Sequence, residues 1–233
     1  MDAIKFFQTW DPVVGRKQEY ATFIIHEFEP LMKALGLEAV SGWYTLAGGW
    51  PRVLFENVAE SLDRTEKLLN DKRFSEMLKR FMSLVSNYAS GVLQPAGWMS
   101  TQHREGASSM EGIKYVQAWD VVPTQMEAYE QWLEEIHVPH MEAIGLAVTG
   151  GWHLMIGSGR QVVSEALAPD LASVAKALND ERYLQMVVRM EEVVTHYESH
   201  IMIPLFLREN GSATAALSPT RIFFTKSTSL LRC

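Results

Sequence analysis

The octapeptide IKFFQTWD at residues 4–11 recurs as IKYVQAWD at residues 113–120, and this recurrence decides the fold. The same offset then relates residues 4–95 to residues 113–204 without a gap. Trp, Gly and Pro recur in that frame, and about a third of the aligned positions are identical. Self-similarity at one fixed offset indicates an internal duplication. The sequence therefore predicts two copies of one domain.

Each copy shows strand-like and helical patterns in the order β-α-β-β-α-β. The first helix is clearest in the second copy, where four apolar residues lie on one helical face: Tyr129, Trp132, Leu133 and Ile136. Thr124 and Glu127 predict a capping box at the start of that helix. A second helical stretch is predicted at about 61–89 and 170–198, interrupted in each copy by an Asn-Asp pair that can end one helix and begin the next.

Glycine predicts the turns between these elements. Gly36 and Gly145 suit the left-handed position after the first helix. Glycines at 48–49 and 157–159 predict β-hairpins between the second and third strands of each copy. The resulting order is the ferredoxin-like unit, an antiparallel sheet with both helices on one face. We expect an α+β fold in which two tandem ferredoxin-like βαββαβ repeats form an intramolecular pseudo-dimeric α+β barrel.

The predicted organisation has four segments. Residues 1–98 form the first repeat and residues 113–207 the second, joined by a polar, Gly- and Ser-rich linker at 99–112. Residues 208–233 form a flexible tail. The tail ends in the apolar and basic segment IFFTKSTSLLRC at 222–233, which is either a docking peptide for another protein or a poorly ordered end.

Composition narrows the class of protein. The formal net charge is -7 and no basic cluster stands out, which argues against a nucleic-acid partner. The one cysteine, Cys233, excludes an intramolecular disulfide. No apolar run is long enough to predict a membrane span, and the N-terminus lacks the pattern of a leader. We expect a cytoplasmic protein with no membrane partner.

The first copy resembles the NIPSNAP family of the dimeric α+β barrel superfamily. The resemblance rests on residues 41–95, SGWYTLAGGWPRVLFENVAESLDRTEKLLNDKRFSEMLKRFMSLVSNYASGVLQP, and on the matching segment of the second copy. The shared features are an aromatic pair in strand two, a Gly-containing hairpin, an apolar third strand, and a broken helix before a closing strand. The resemblance implies the barrel and a cavity between helices and sheet. It does not imply one reaction, because the superfamily includes cofactor-free monooxygenases, isomerases, cyclases and haem enzymes.

Histidine distinguishes the two copies. The second copy has five histidines where the first copy has Phe28, Leu31, Tyr44, Asn87 and Gly91, and these histidines are His137, His140, His153, His196 and His200. Histidine titrates near neutral pH and is a frequent general base, so His137, His140 and His153 are the candidate catalytic residues. The alternative for each is a structural role in the core or at a helix end.

His196 and His200 form a second pair, predicted at the end of the second helix. Either histidine pair could ligate a divalent metal or supply an axial haem ligand, although no cofactor is the main expectation. Among residues retained in both copies, the Trp and Tyr pairs are predicted to pack in the core. Glu56 and Glu165 lie within strand-like runs, and a surface-facing position is favoured for them.

Three functions remain open at this point. The first is a NIPSNAP-like small-molecule binding protein or cofactor-free enzyme of oxygenase, isomerase or cyclase type, with a cavity in the second repeat. The second is a haem- or metal-binding protein that uses the second-repeat histidines. The third is a non-catalytic scaffold or protein-interaction module, with homo-oligomerisation as a further expectation. The sequence favours the first, and whether the protein is an enzyme stays undecided.

Overall fold

The computed structural model describes residues 4–96 and 112–205. The first repeat contains β1 (Ile4–Pro12), α1 (Lys17–Phe23), α2 (Glu29–Ala34), β2 (Glu38–Ala47), β3 (Val53–Ala59), α3 (Leu62–Leu69), α4 (Lys72–Phe81) and β4 (Val85–Pro95). The second repeat contains β5 (Ile113–Val121), α5 (Met126–Trp132), α6 (Val138–Ala143), β6 (Ala147–Gly157), β7 (Val162–Ala168), α7 (Leu171–Leu178), α8 (Glu181–Met190) and β8 (Val194–Pro204). The predicted linker before Gly112 and the predicted tail, with its docking segment 222–233, lie outside the described residues.

The eight strands form one closed antiparallel barrel in the order β1-β3-β2-β8-β5-β7-β6-β4. Each repeat supplies four adjacent strands, and the two halves join where β2 pairs with β8 and β4 pairs with β6. The predicted α+β fold of two ferredoxin-like repeats in an intramolecular pseudo-dimeric barrel is confirmed. Because strand direction alternates around the ring, equivalent strands point the same way, so the β2–β3 and β6–β7 hairpins lie at the same end of the barrel.

Each strand separates two buried regions. In β1, Phe6 and Trp10 pack against the helices of the first repeat, whereas Phe7 packs inside the barrel with residues from the second repeat such as Val116. We call the space inside the barrel the lumen and the layer between helices and sheet the helix-side core. Both faces of the sheet are therefore covered, which is unusual for an antiparallel sheet and leaves no solvent-facing side for polar residues along the middle of a strand.

The first helix of each repeat contains one π-helical turn, at Ile24–Phe28 and Leu133–His137. Pro30 and Pro139 follow these turns in α2 and α6. Because proline has no N–H to donate and its ring collides with the carbonyl four residues earlier, the helix widens there to the i→i+5 pattern.

The prediction of the second helical stretch was wrong at its end. The Asn-Asp break is confirmed, since Asp71 and Asp180 cap the following helices through their carboxylates. The helices then stop at Phe81 and Met190, and the chain continues as the long strands β4 and β8. His196 and His200 therefore lie on a strand. Pairing of β4 with β1 and of β8 with β5 overrides the local helical pattern.

The start of the first helix in the second repeat also differs from the prediction. A 3-10 turn at Pro123–Gln125 precedes α5, and Gln125 occupies the N-cap position without a side-chain hydrogen bond. Thr124 lies inside that turn, so the predicted capping box does not form. The glycine predictions are confirmed, because Gly36 and Gly145 have φ of 82° and 87°. Within the described ranges no helix is both long and apolar enough to cross a membrane.

The β2–β3 hairpin requires glycine at position 48. Gly48 has a φ of 120°, and a Cβ there would overlap Nδ1 of His200 and the carbonyl oxygen of Ser199. We expect Gly48→Ala to destabilise the fold by about 1–3 kcal/mol in urea unfolding, because a rarely adopted backbone conformation is added to a clash. Gly49→Ala is the matched control, since a Cβ there meets nothing within 4 Å. Equal midpoints for the two variants would contradict this role of Gly48.

Candidate functional site in the barrel lumen

Four charged side chains meet inside the barrel, and we call them the four-charge cluster. Each repeat supplies one lysine from its first strand and one glutamate from its third strand: Lys5 and Glu56 from the first repeat, Lys114 and Glu165 from the second. Each of the four residues is at most 5% exposed. Strand alternation places them on the lumen side together with Phe7 and Leu54.

Each lysine bridges glutamates of both repeats. Lys5 Nζ donates to Glu56 Oε1 at 2.8 Å and to Glu165 Oε2 at 2.7 Å. Lys114 Nζ donates to Glu56 Oε2 at 2.6 Å and to Glu165 Oε1 at 3.0 Å. Two positive and two negative charges thus form one neutral group, with its ion pairs shared between the repeats.

Two tryptophans complete the cluster. Trp43 Nε1 donates to Glu56 Oε2 at 2.9 Å, and Trp152 Nε1 donates to Glu165 Oε2 at 3.0 Å. The ammonium groups lie over the indole of the other repeat, with Lys5 Nζ 4.2 Å from the ring centre of Trp152. Such cation–π contacts favour the charged lysine. The carboxylates therefore receive N–H donors from both lysine and tryptophan.

The cluster keeps Glu56 ionised in spite of burial. Burial by itself raises the pKa of Glu56, but the ammonium groups of Lys114 and Lys5 and their hydrogen bonds hold this pKa well below its usual range. For Lys5, burial lowers the pKa, and the neighbouring Glu165 and Glu56 more than reverse this and raise it. The lysine is therefore held as an ammonium ion and the glutamate as a carboxylate.

The sequence analysis missed half of this cluster. A surface-facing position was favoured for Glu56 and Glu165, and it was wrong, since both side chains are buried. Lys5 and Lys114 were not singled out as candidates. The available signal was that Lys and Glu, at equivalent positions, recur in both copies within otherwise apolar strand-like runs.

A cavity of about 180 Å³ extends from the four-charge cluster toward the hairpin end of the barrel. Its walls are mainly apolar and come from both repeats, including Phe7, Leu54, Leu93, Val116 and Val163. Glu56 and Glu165 line it where it reaches the cluster, and Trp50, Ser158 and Arg160 line it at the hairpins. The cavity lies between the repeats, whereas the sequence predicted one within the second repeat; that helix-side cavity stays a prediction.

One side of the lumen mouth is charged. Arg160, in the β6–β7 hairpin, contacts Asp120 and Glu198 at 3.2 Å each, and His196 Nδ1 lies 3.1 Å from Asp120. The positions in the first repeat equivalent to Arg160 and Glu198 hold Pro51 and Ala89. The two hairpins therefore present different chemistry to the same opening.

His200 is the histidine that lies beside the lumen. It is opposite Val116 in the β5–β8 pairing, and its side chain is buried. Its ring stacks on Trp50 with 4.3 Å between ring centres. Burial lowers the pKa of His200 to about 4, so the imidazole is neutral near pH 7. The predicted pairing of His196 with His200 at a helix end does not occur, because β8 leaves His196 exposed and His200 buried.

His137 lies in the helix-side core of the second repeat. Its Nε2 is 3.2 Å from Ser164 Oγ, and its ring contacts Trp119 and Trp132 with ring centres 5.4 and 4.9 Å away. The equivalent residues of the first repeat are Phe28 and Phe55, which make an edge-to-face pair at 5.4 Å. A polar pair thus replaces an aromatic pair at equivalent positions of the two cores. Burial, with a smaller contribution from His140, lowers the pKa of His137 to about 3.

His140 and His153 are also on the helix side of the second repeat. His140 is half-buried on α6 and close enough to His137 to affect its pKa. His153 is on β6, opposite Val162 of the helix-side core, and burial lowers its pKa. None of these three residues lines the lumen cavity described above. Their joint catalytic role stays a prediction.

The sequence suggested a metal ion or a haem for the second-repeat histidines. Within residues 4–96 and 112–205, no group of three or more His, Cys, Asp or Glu side chains is placed to hold a metal ion. A haem on His137 does not fit the arrangement described, because Trp119 and Trp132 pack against the imidazole and Ser164 bonds Nε2. We therefore derive no step through either group.

The four-charge cluster is expected to make single charge removals costly. Lys114→Met leaves two buried carboxylates with one ammonium group, so we expect a loss of about 3–5 kcal/mol in the free energy of unfolding. Lys67→Met is the matched control, because the exposed Lys67–Asp63 pair is worth under about 1 kcal/mol. Urea titration measures both, and a loss in K114M no larger than in K67M would show that the cluster is not a stabilising unit.

The buried His137 is expected to make stability depend on pH. Its folded pKa of about 3 lies below the ordinary 6.5. As the pH falls from 6.5 toward 3, His137 therefore becomes protonated in the unfolded chain while it stays neutral in the native state. Stability therefore decreases from pH 6.5 toward pH 4, by at most about 1.4 kcal/mol per pH unit from this group.

The test is the double variant His137→Phe/Ser164→Phe, which recreates the aromatic pair of the first repeat. We expect the free energy of unfolding to fall less steeply between pH 6.5 and pH 4 in this variant than in the wild type. His26→Gln, at an exposed position, is the control. An unchanged slope in the double variant would contradict the assignment.

Comparison with known proteins identifies solved structures with a similar fold. No family model and no curated protein matches the chain. Among solved structures, an anthrone oxidase-like protein is 14% identical with a TM-score of 0.62, over 93% of this chain and 97% of that chain. Chlorite dismutase from Candidatus Nitrospira defluvii, in complex with imidazole, is 12% identical with a TM-score of 0.55, over 87% and 91%.

The similar structures also include a NIPSNAP family protein from Agrobacterium tumefaciens str. C58. It is 22% identical over 43% of this chain and 99% of that chain, with a TM-score of 0.34. At such identities the likeness of the longer matches shows a shared fold, and it assigns no reaction. The predicted fold is confirmed: the chain has the dimeric α+β barrel fold, with both halves of the barrel in one polypeptide.

Proposed function

We propose that this protein binds a small, largely apolar molecule in the barrel lumen. The observation that carries the proposal is the cavity of about 180 Å³, walled by apolar side chains of both repeats and ended by two carboxylates. An apolar cavity of about 150 Å³ in another protein is large enough to bind benzene. The lumen therefore suits a molecule built around a single ring, or an aliphatic group of similar size.

The polar end of such a molecule is a hydrogen-bond donor. The cavity meets the four-charge cluster at Glu56 and Glu165, and carboxylates accept hydrogen bonds. Oε1 of Glu56 accepts one hydrogen bond, from Lys5, while Oε2 accepts three, from Ser41, Trp43 and Lys114. Oε1 therefore has more capacity left to accept a hydrogen bond from a ligand. An amine group on an apolar body, which offers two N–H donors, matches the two carboxylates at this end of the cavity.

Binding is the function proposed, and a cofactor-free reaction on the bound molecule is its extension. The reaction classes we attach to it are oxygenase, isomerase and cyclase chemistry, which the superfamily resemblance implies. The anthrone oxidase-like protein among the similar structures supports the first of these classes.

A second candidate site lies in the helix-side core of the second repeat. The observation in its favour is the paired replacement of Phe28 and Phe55 by His137 and Ser164, which introduces polar atoms into a core that the first repeat fills with rings. His137, His140 and His153 would be its catalytic residues. A ligand of this site would lose affinity in the His137→Phe/Ser164→Phe variant and keep it in variants of the lumen.

Saturation-transfer NMR with toluene, phenol and aniline tests the proposed lumen site. We expect all three to bind, with aniline about 10-fold or more tighter than toluene, because a hydrogen bond to a charged group adds about 1.5–3 kcal/mol. Failure of all three to bind would overturn the proposal.

A filling variant locates the binding. Val163→Phe adds a ring to the lumen wall and is expected to weaken binding of each probe at least about 10-fold. Val188→Phe, at an exposed position on α8, is the matched control and should bind as the wild type does. Unchanged binding in V163F would place the bound probe somewhere other than the lumen.

A further inference from the structure

His200 and Trp50 form a closed pair at the edge of the lumen. We infer that His200 is a ligand-binding residue that Trp50 covers, and that it takes the hydroxyl of a phenolic ligand when Trp50 turns aside. This inference rests on the proposed lumen site and names its ligand class. It assigns the contact to a histidine outside the three that the sequence predicted.

His200 has hydrogen-bonding capacity that the described part of the chain does not use. The side chain is 1% exposed, and neither ring nitrogen has a hydrogen-bond partner among the described residues. Glu198 Oε2 lies 3.9 Å from Nε2, beyond hydrogen-bond distance. Buried polar groups are nearly always partnered, so the two nitrogens, unused within the described residues, are available to a bound molecule.

The position of His200 directs this capacity toward the lumen. Val116, its neighbour across the β5–β8 pair, lines the cavity, and Met202, two residues further along β8, belongs to the cluster inside the barrel. Trp50 lines the cavity with its indole stacked on the imidazole. The indole is therefore the side chain that stands between His200 and the cavity.

The first repeat shows how the same place is filled without a polar group. There Phe7 packs over Gly91, whose Cβ position would overlap the Phe7 ring. The second repeat has the opposite pairing, with the small Val116 beside the large His200. Because a ring from either strand fills this volume, packing does not require an imidazole. Histidine therefore adds hydrogen-bonding nitrogens at a place that an apolar ring can fill.

Trp50 is placed to move. It is half-buried at the tip of the β2–β3 hairpin, directly after Gly48 and Gly49. A Cβ at position 49 would meet open space, so residue 49, directly before Trp50, is not packed against other residues. The equivalent of Trp50 in the second hairpin is Gly159, which leaves the opposite side of the mouth without such a cover.

The class of ligand follows from the hydrogen-bonding groups of the neutral His200 imidazole. A neutral imidazole has one N–H donor and one acceptor nitrogen. A phenol donates its O–H to that acceptor and places its ring against the apolar walls of the lumen. Glu198 beside the ring disfavours a carboxylate ligand by like charge, and Arg160 is already engaged by Glu198 and Asp120.

The first test observes the wild-type protein directly. Imidazole ¹⁵N shifts are recorded by NMR with phenol or toluene added, and the His200 signal is identified by its loss in His200→Phe. We expect phenol to shift the acceptor nitrogen of His200 in the direction of a new hydrogen bond, and toluene to leave it in place. An unmoved His200 signal with phenol bound in the lumen overturns the inference and leaves the proposed function standing.

The second test uses affinities. His200→Phe keeps a ring under Trp50 and removes both nitrogens, so phenol should bind about 10-fold more weakly while toluene is unchanged, and His200→Gln should restore part of the difference. Trp50→Gly, which copies Gly159, should strengthen phenol binding, because its cover is removed. An equal phenol-to-toluene ratio in wild type and H200F would refute the role of His200.

Two outcomes distinguish failure of the proposed function from failure of this inference. When no probe binds the wild type, the proposed function and this inference fail together. When probes bind and V163F removes them while H200F does not alter the preference for phenol, the inference alone fails. If His200→Phe does not fold, Val116→Phe/His200→Gly reproduces the Phe7–Gly91 pair that already folds in the first repeat, and the same change in preference is expected.

Discussion

The shared burial of two ammonium groups and two carboxylates is the constraint on which this barrel depends. A single buried charge of this kind is strongly unfavourable, and pairing offsets the cost only when geometry and additional hydrogen bonds are good. Lys5 and Lys114 each contact glutamates of both repeats, and each lies over a tryptophan of the other repeat. The ion pairs of the four-charge cluster are therefore complete only in the closed barrel.

The duplication provides an internal comparison that locates divergence. The four charges and their tryptophans are the same in both repeats, while the side chains around them differ in a coordinated way. Phe28 with Phe55 becomes His137 with Ser164 on the helix side, and Phe7 with Gly91 becomes Val116 with His200 in the lumen. Each exchange introduces polar atoms at positions where the first repeat has only carbon side-chain atoms or none.

Symmetry brings the two differing hairpins to the same end of the barrel. The pseudo-twofold axis runs along the barrel, so both hairpins border one opening to the lumen. Trp50 stands where the other hairpin has Gly159, and Arg160 stands where the first has Pro51. The cavity joins this asymmetric opening to the symmetric charged centre. A molecule in the lumen thus meets a scaffold common to both repeats at one end and side chains particular to each repeat at the other.

The amino-acid sequence by itself determined the duplication, the element order and the barrel. Gly36, Gly145 and the Asn-Asp breaks marked turns correctly because these residues act through local backbone preference and capping. Local pattern also placed the retained tryptophans in the core. These features depend on neighbours within a few residues, which the sequence contains explicitly.

Only the tertiary structure decided which side of each strand becomes the lumen and where the second helices end. A period of two separates the faces of a strand without saying which face meets the partner repeat, so Glu56 and Glu165 were predicted at the surface although the barrel closes over them. In the same way, pairing with β5 draws His196 and His200 into β8, out of the predicted helix. Contacts between residues far apart in the chain set these outcomes, and such contacts exist only in the folded barrel.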